Sequence, residues 1–211
     1  MAAAYTFWFR DSSFVEVRDV EITGADADAS AEAELAAAAG QMSTLHLDEG
    51  ALRAAVADDP EVAAVSAEAN FPHGIRIVVE LRHPAGYIED SSGAILASDG
   101  TVLATGVDRP EDLPLIAAES PELSDRATGP ALVVAQTLGG APDELAGQVQ
   151  SGRVDPEDGP TVTLAAGLEL RFGDASRTAL KWRAAVAVLA DPEFSGADYL
   201  DLSVPDRPVA G

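Results

Sequence analysis

The chain has 211 residues, of which 47% are hydrophobic, and its 36 acidic and 13 basic residues give a formal net charge of −23. A chain of this length and composition can bury the core of one large domain or of two small ones, which excludes general disorder. The negative charge disfavours binding to nucleic-acid phosphates and electrostatic docking on anionic lipid. Cysteine is absent, which excludes disulfides, thiolate metal sites and a cysteine nucleophile.

A short apolar run opens the chain. Residues 1–9 read MAAAYTFWF and include four aromatic side chains, Tyr5, Phe7, Trp8 and Phe9. The run is shorter than the roughly 20 apolar residues of a spanning helix, and it lacks the leading basic residues of a signal peptide. Aromatic rings are typical of the boundary between membrane and water. We interpret residues 1–13 as the remnant of a membrane-proximal segment whose transmembrane helix precedes the present start; the alternative is a frayed apolar tail.

The next elements read as a strand and two helices. Residues 14–23 alternate as a strand, with a change of phase that indicates either a bulge near the middle or a strand that begins there. Helices are predicted over residues 30–39 and 48–57. Ser30 and Asp48 are expected to cap them, because short polar side chains accept hydrogen bonds from the free N–H groups of a first turn.

The clearest pattern is a pair of alternating segments over residues 62–84. The Pro72-His73-Gly74 break between them predicts a β-hairpin. Each segment has one apolar face, formed by Val65, Ala67, Ala69 and Phe71 in the first and by Ile75, Ile77, Val79 and Leu81 in the second. An isolated hairpin is barely stable, so the two preceding helices are expected to cover this face. The front half is therefore predicted to be a three-stranded sheet with both helices on one side.

The rear half has weaker patterns. After Pro84 come two short strand patterns, and the second contains a tight turn at Asp99-Gly100. Residues 107–129 are rich in proline and acidic residues and are predicted to form a surface loop. The apolar run at residues 131–138 fits a helix or a strand, and residues 142–150 fit a helix.

A second hairpin and a long helix follow. Strand patterns over residues 161–164 and 168–172 flank a small turn. A helix is predicted over residues 176–190, with an inward apolar stripe formed by Leu180, Ala184, Ala187 and Val188. A last strand is predicted over residues 199–204, and residues 205–211 read as a tail.

No catalytic, cofactor-binding or metal-binding constellation is recognisable. The sequence has neither a glycine-rich phosphate loop nor a G-x-S-x-G motif. Its three histidines, His46, His73 and His83, lack the spacing of a helical zinc site. Arg82 and Lys181 are expected to form structural ion pairs. We therefore predict a non-enzymatic binding module without metal or cofactor, whose sheet edges can accept a partner strand.

An ordered set of short motifs resembles those of one family. In the front half they are Val20–Gly24, Leu45–Asp48, Pro60–Val62, Phe71-Pro72 and Arg82–Ala85. In the rear half they are Ser98–Val102, Leu113-Pro114, Gly173, Lys181, and Tyr199–Leu202 with Pro205, Arg207 and Pro208. The front half resembles a POTRA domain. The chain as a whole resembles, over residues 14–208, the extracytoplasmic part of the FtsQ/DivIB cell-division family.

The resemblance implies an α+β fold in two domains. A POTRA domain (β-α-α-β-β) would span residues 14–84, and an FtsQ-type domain with a mostly antiparallel sheet would span residues 85–208, before a tail at 209–211. It implies a non-enzymatic divisome scaffold, single-pass in the cell membrane at the division septum, with its C-terminal domain outside the cytoplasm. The implied partners are FtsB/FtsL-type coiled-coil proteins and the septal peptidoglycan synthase complex, and no nucleic acid.

The resemblance also implies where a partner binds. In the family the last strand of the second domain pairs with a partner strand, which corresponds here to Tyr199, Leu200, Asp201, Leu202, Ser203 and Val204. A proline at Leu202 is therefore expected to abolish partner binding, since it removes a backbone donor. The join between the domains corresponds to Arg82, Pro84 and Ala85.

Two other functions are compatible with parts of the sequence. One is a POTRA-containing chaperone or docking module of an envelope protein-assembly or secretion system. That function would need tandem POTRA units or a following β-barrel, and residue 103 onward lacks a repeat. The other is a hydrolase with an acidic site in the second domain, which the missing catalytic constellation disfavours.

Overall fold

The computed structural model describes four stretches of the chain, residues 16–24, 29–89, 93–118 and 123–211. It divides into two compact units, the first ending at Arg82 and the second beginning at His83. The membrane-proximal segment expected at residues 1–13 lies outside the described residues. Among the residues that are described, no helix is long and apolar enough to cross a membrane.

The first unit is a β-α-α-β-β module. Its elements are β1 (Asp19–Thr23), α1 (Ala29–Ala39), α2 (Glu49–Ala55), β2 (Val62–Asn70) and β3 (Gly74–Leu81). The sheet order is β1-β3-β2, with β1 parallel and β2 antiparallel to the central strand β3. This arrangement confirms the predicted three-stranded sheet and the order of its elements.

Both helices cover one face of this sheet. Leu35 of α1 and Leu52 of α2 are fully buried in one core with Ile75 and Ile77 of β3. Helix α2 begins where the Asp48 side chain accepts a hydrogen bond of 3.0 Å from a backbone N–H of the first turn, as predicted. The two helices therefore bury the apolar face of β3, and this burial stabilises a hairpin that would be barely stable alone.

Three local features of this unit differ from or refine the sequence predictions. The first strand begins at Asp19, so the phase change marks a strand start and not a bulge. Ser30 lies inside α1 and does not cap it. Ala69 and Phe71, which were expected to face the core, are exposed. They belong to the end of β2 and the turn after it, and β2 is an edge strand, whereas β3 has a neighbour on each side.

In the part of the second unit that the structure describes, nine strands form one sheet. The first five are β4 (Pro84–Ile88), β5 (Ala94–Ala97), β6 (Val102–Thr105), β7 (Leu115–Ala117) and β8 (Val149–Asp155). The remaining four are β9 (Gly159–Leu164), β10 (Glu169–Arg171), β11 (Tyr199–Asp201) and β12 (Val209–Ala210). Three helices connect them, α3 (Gly129–Leu138), α4 (Asp143–Ala146) and α5 (Thr178–Leu189).

The sheet order is β12-β11-β10-β9-β8-β7-β4-β5-β6. Three neighbouring pairs are parallel, β10 with β11, β7 with β8, and β4 with β7. The other pairs are antiparallel. The expected mostly antiparallel sheet is therefore confirmed. Helical segments connect the strands of the parallel pairs β7–β8 and β10–β11, whereas β4 and β7 are connected through β5 and β6.

Trp182 of α5 anchors the second core. Its ring meets Phe172 edge to face, with ring centroids 5.2 Å apart and an interplanar angle of 62°. The indole Nε1 donates a hydrogen bond of 2.9 Å to the carbonyl of Thr137 in α3. Both aromatic rings belong to one apolar cluster with Val134 of α3 and Leu170 of β10. The two long helices of this unit are thus joined to each other and to the sheet through one indole.

Two predictions for residues 107–150 are wrong. Strand β7 crosses the stretch that was expected to be a surface loop, and its Ile116 is buried. A three-residue apolar run is too short to show a period. Residues 149–150 begin β8 instead of ending a helix, because α4 stops at Gly147 after a single turn. The ambiguous run at residues 131–138 lies in helix α3.

Candidate partner-binding edge

The structure places the expected edge residues one strand inside the sheet. Tyr199–Asp201 form β11, which is parallel to β10 on one side and antiparallel to β12 on the other. Leu202, Ser203 and Val204 follow the strand. The segment 205–211 that reads as a tail turns back and supplies β12, which lies at one end of the sheet. The edge strand is therefore β12.

Much of the segment 199–204 serves the core. Leu200 and Leu202 are fully buried. The Leu202 N–H donates a hydrogen bond of 2.8 Å to the carbonyl of Arg171 at the end of β10. A proline at Leu202 would break this bond within the sheet, so any loss of partner binding would follow from damage to the fold. The donor that this substitution was expected to remove from a partner is already used inside the protein.

Strand β12 presents backbone groups at the edge. Gly211 and Tyr199 exchange two hydrogen bonds, with N···O distances of 3.1 and 3.2 Å. Ala210 is the next residue and lies opposite Leu200. In an antiparallel ladder hydrogen-bonded and non-bonded pairs alternate, so the N–H and C=O of Ala210 point away from β11. Sequence reasoning missed β12, because a two-residue strand shows no period.

Arg171 braces the strand beneath this edge. Its guanidinium carbon lies 4.0 Å from the centroid of the Tyr199 ring, in cation–π contact. Its Nε lies 3.2 Å from Asp158 Oδ2, and both side chains are only partly exposed. The contact joins β11 to β10 through side chains in addition to the backbone ladder. Strand β12 therefore pairs with a strand that is fixed to the rest of the sheet.

An apolar cleft lies beside the segment that leads into β12. It has a volume of about 470 Å³, and it is lined by Ala184, Ala187, Val188, Asp191, Glu193, Phe194, Pro205 and Pro208. Of the stripe expected to face the core, Ala184 and Val188 are half-buried and pack against the margin of the core, and together with Ala187 they line this cleft. Leu180, in the same stripe, is 47% exposed, whereas the buried face of α5 carries Lys181, Trp182 and Ala185.

Lys181 is a buried cation with an acidic partner. Its side chain is 0% exposed, and its Nζ donates to Asp174 Oδ1 at 2.5 Å and to the Asp174 carbonyl at 2.9 Å. The ion pair expected for Lys181 is therefore confirmed. The preceding Gly173 has a φ of +70°, and an added Cβ there would lie 2.7 Å from the Ser203 side chain. The Lys181–Asp174 pair thus holds a loop that is packed against the end of β11.

This pair predicts a pH dependence of stability. The pKa of Asp174 is held well below its ordinary value of 3.8, first by the hydrogen bond from Lys181 and then by those from Ser176. The native state therefore favours the carboxylate, and the stabilisation is complete above about pH 4 and is lost as the pH falls through the lowered pKa. Asp174→Asn is expected to lower the melting temperature at pH 7. The gap to the wild type should close as the pH falls towards 2.

The measurement is a thermal melt of both proteins at a series of pH values. All the other carboxylates titrate in both proteins, so the difference between the two melting temperatures isolates Asp174. Ser203→Ala, on the segment against which this loop packs, is a control that leaves the charges unchanged. A gap that is constant from pH 7 to pH 2 would contradict the assignment.

The residues of the expected domain join are bonded within their own units. The Arg82 guanidinium donates to the carbonyls of Pro60 (2.9 Å) and Val62, and the Arg82 N–H donates to Glu61 O at 2.7 Å. Pro84 is the first residue of β4, and Ala85 is buried. Arg82 thus closes the start of β2 in the first unit. The role of these residues between the domains stays a prediction.

Comparison with known proteins agrees with this architecture. The family model for the FtsQ-type POTRA domain matches residues 15–82, and the model for the C-terminal domain of cell division protein FtsQ/DivIB matches residues 86–203. A search of curated proteins found no match. The envelope-assembly alternative has no support in the second unit, whose sequence matches the division family.

The second match alone spans more than half of the chain. Proteins with these two domains are membrane proteins of the division site, and they act there as non-catalytic scaffolds. In the described residues no group of three or more histidine, aspartate or glutamate side chains is placed to hold a metal ion. From the two ordered matches and the two units that carry them, the chain belongs to the FtsQ/DivIB family of cell-division proteins.

Proposed function

We propose that the second unit captures a coiled-coil division protein of the FtsB/FtsL type by strand addition at β12, outside the cytoplasm. The observation that carries the proposal is the edge itself: a two-residue strand at the end of a nine-stranded sheet, with the N–H and C=O of Ala210 directed outward. An extended partner segment that pairs with such an edge gains affinity from main-chain hydrogen bonds.

The surroundings of β12 favour an apolar partner segment. Val209 of β12 is 57% exposed and Val204 is 51% exposed. The cleft beside this segment adds Phe194, Pro205 and further apolar residues of α5. Strand addition supplies affinity without sequence selectivity, so apolar side chains that enter this surface would decide which partner is accepted. Asp191 and Glu193 at the same cleft disfavour an acidic partner segment.

A scaffold that holds such a partner would act by recruitment. The complex would bring the septal peptidoglycan synthase to the division site and regulate its synthesis of the septum. This chain itself would carry out no chemistry.

The proposal predicts that Ala210→Pro weakens partner binding. Proline removes the outward N–H and leaves the bonds from Tyr199 to Gly211 in place. We expect the dissociation constant for the purified extracytoplasmic domain of the FtsB/FtsL-type partner to rise at least about tenfold, which corresponds to about 1.4 kcal/mol. Titration calorimetry measures the constant, and circular dichroism checks that the variant is folded. A cell with only this variant is expected to filament.

Thr105→Pro is the matched control at the opposite end of the sheet. Thr105 of β6 lies opposite Ala94 of β5, and the next residue, Gly106, donates its N–H to the carbonyl of Gly93. Because bonded and non-bonded pairs alternate, the Thr105 N–H also points outward. This variant is expected to bind the partner as the wild type does. If a folded Ala210→Pro variant bound the partner as tightly as the wild type, the proposal for β12 would be refuted. If both variants lost the same affinity, the effect would not be local to β12.

A further inference from the structure

Two large apolar side chains stand exposed at one end of the first unit. Phe71, in the turn between β2 and β3, is 65% exposed, and Leu45, in the loop between α1 and α2, is 52% exposed. In the part of the first unit that the structure describes, these are the large hydrophobic side chains that remain exposed. We call Leu45, Phe71 and the exposed Pro72 the apolar tip.

The two loops of the apolar tip are joined to each other. The buried Thr44 donates a hydrogen bond of 2.9 Å from its hydroxyl to the carbonyl of Pro72. The His46 N–H donates to the carbonyl of Ser43 at 2.8 Å, which makes a tight turn around Leu45. The side chains are thus carried outward by loops that are tied from beneath. Leu45 and Phe71 are therefore exposed on loops that hydrogen bonds hold in place.

The N-terminal part of the chain enters the fold at this same end. Glu16 bridges to Ser43, and its carbonyl accepts a hydrogen bond of 3.2 Å from His73 Nδ1. The N–H groups of Arg18 and Asp19 donate to the carbonyl of His73 at 2.9 and 3.2 Å. Glu16 is therefore held against both of the loops that carry Leu45 and Phe71.

The segment before Glu16 is rich in aromatic residues. Phe9 precedes Glu16 by seven residues, a stretch that reaches at most about 25 Å when fully extended. The family is one of membrane proteins, and aromatic residues such as Tyr5 to Phe9 are typical of the membrane–water boundary. The length of this stretch therefore allows the apolar tip to touch the lipid headgroups at such a boundary.

We propose that the apolar tip inserts Leu45 and Phe71 into the headgroup region of the membrane and so fixes the first unit on the lipid surface. The occupant of this surface is a zwitterionic lipid interface, because a chain with a net charge of −23 is repelled by anionic lipid. The attraction is the removal of apolar surface from water. The proposal is independent of strand addition at β12, which involves the other unit.

Tryptophan placed at the tip tests this contact. Phe71→Trp and, separately, Leu45→Trp are made in a Trp8→Phe background, where the buried Trp182 is the remaining tryptophan. The chain is attached through an N-terminal histidine tag to phosphatidylcholine vesicles that contain a small fraction of nickel-chelating lipid. We expect a blue shift of the added emission on attachment and its loss when the acyl chains are brominated. Phosphatidylglycerol in the vesicles should weaken both effects.

Glu61→Trp is the matched control, because Glu61 is exposed beside the first residue of β2, at the opposite end of that strand from Phe71. The same attachment should leave this emission unshifted and unquenched. Absence of shift and quenching at both tip positions overturns the proposal and assigns the apolar tip to a protein partner. Equal quenching at Glu61→Trp also overturns it, since the lipid contact would then lack a preferred end of the unit.

Discussion

Ile77→Asp is expected to unfold the first unit while the second unit stays folded. Ile77 is 0% exposed and lies at the centre of β3, paired with Ile22 of β1 and Ala67 of β2. A carboxylate at this point would be buried without a partner, which costs roughly 4 kcal/mol or more, a large share of the stability of a small domain. The second unit has a separate apolar cluster, so its own core is unchanged.

Amide hydrogen exchange measured along the chain tests this expectation. Protection should disappear from the strands of the first unit and persist in β8 and β9. Ser66→Asp is the matched control, since it places the same charge on the exposed face of β2, opposite Val78. It is expected to change stability by less than about 0.5 kcal/mol. An Ile77→Asp protein with wild-type protection and melting temperature would show that the inward face is assigned wrongly.

Trp182→Ala is expected to destabilise the second unit by about 3–5 kcal/mol. The substitution removes the edge-to-face contact with Phe172 and leaves the Thr137 carbonyl without its indole donor. The effect should extend to the proposed partner-binding edge, because α5 also carries Lys181, whose ion pair holds the loop packed against Ser203. We therefore expect the partner to bind less well in proportion to the unfolded fraction.

Urea unfolding followed by circular dichroism measures the loss. Leu180→Ala is the control on the same helix, two residues away and 47% exposed. It should cost much less than Trp182→Ala, because alanine is a good helix former and about half of the Leu180 surface is already in solvent. If the two variants lost similar stability, Leu180 would belong to the core, and its assignment to the exposed face of α5 would be wrong.

The prediction for α5 shows where a period is insufficient. Leu180, Ala184, Ala187 and Val188 do form an apolar stripe, and the helix is present. A helical period identifies an apolar face, but it cannot say which of two neighbouring faces meets the core. Lys181 weakens the signal further, since a lysine on the buried face reads as a solvent-facing position until its partner at Asp174 is seen.

The expected binding site shows the same limit for strands. The predicted strand at residues 199–204 is present over Tyr199–Asp201, but its place in the sheet depends on which segment pairs with it. That segment is Val209–Ala210, which is too short to be recognised and becomes visible through its ladder with β11. The proposed site consequently moves outward by one strand, while the family and the second domain that carry it are unchanged.

The sequence by itself determined the features that depend on residues a few positions apart. The alternation of residues 74–81, the cap at Asp48 and the turn at Asp99-Gly100 needed no distant partner, and together with the ordered motifs they indicated the two domains and the family. Tertiary structure alone decided the edge of the sheet, the buried face of α5 and the exposure of Phe71. Each of these depends on which distant segment covers a surface. Burial is a property of the whole packed unit, and the periodicity of a short segment cannot show it.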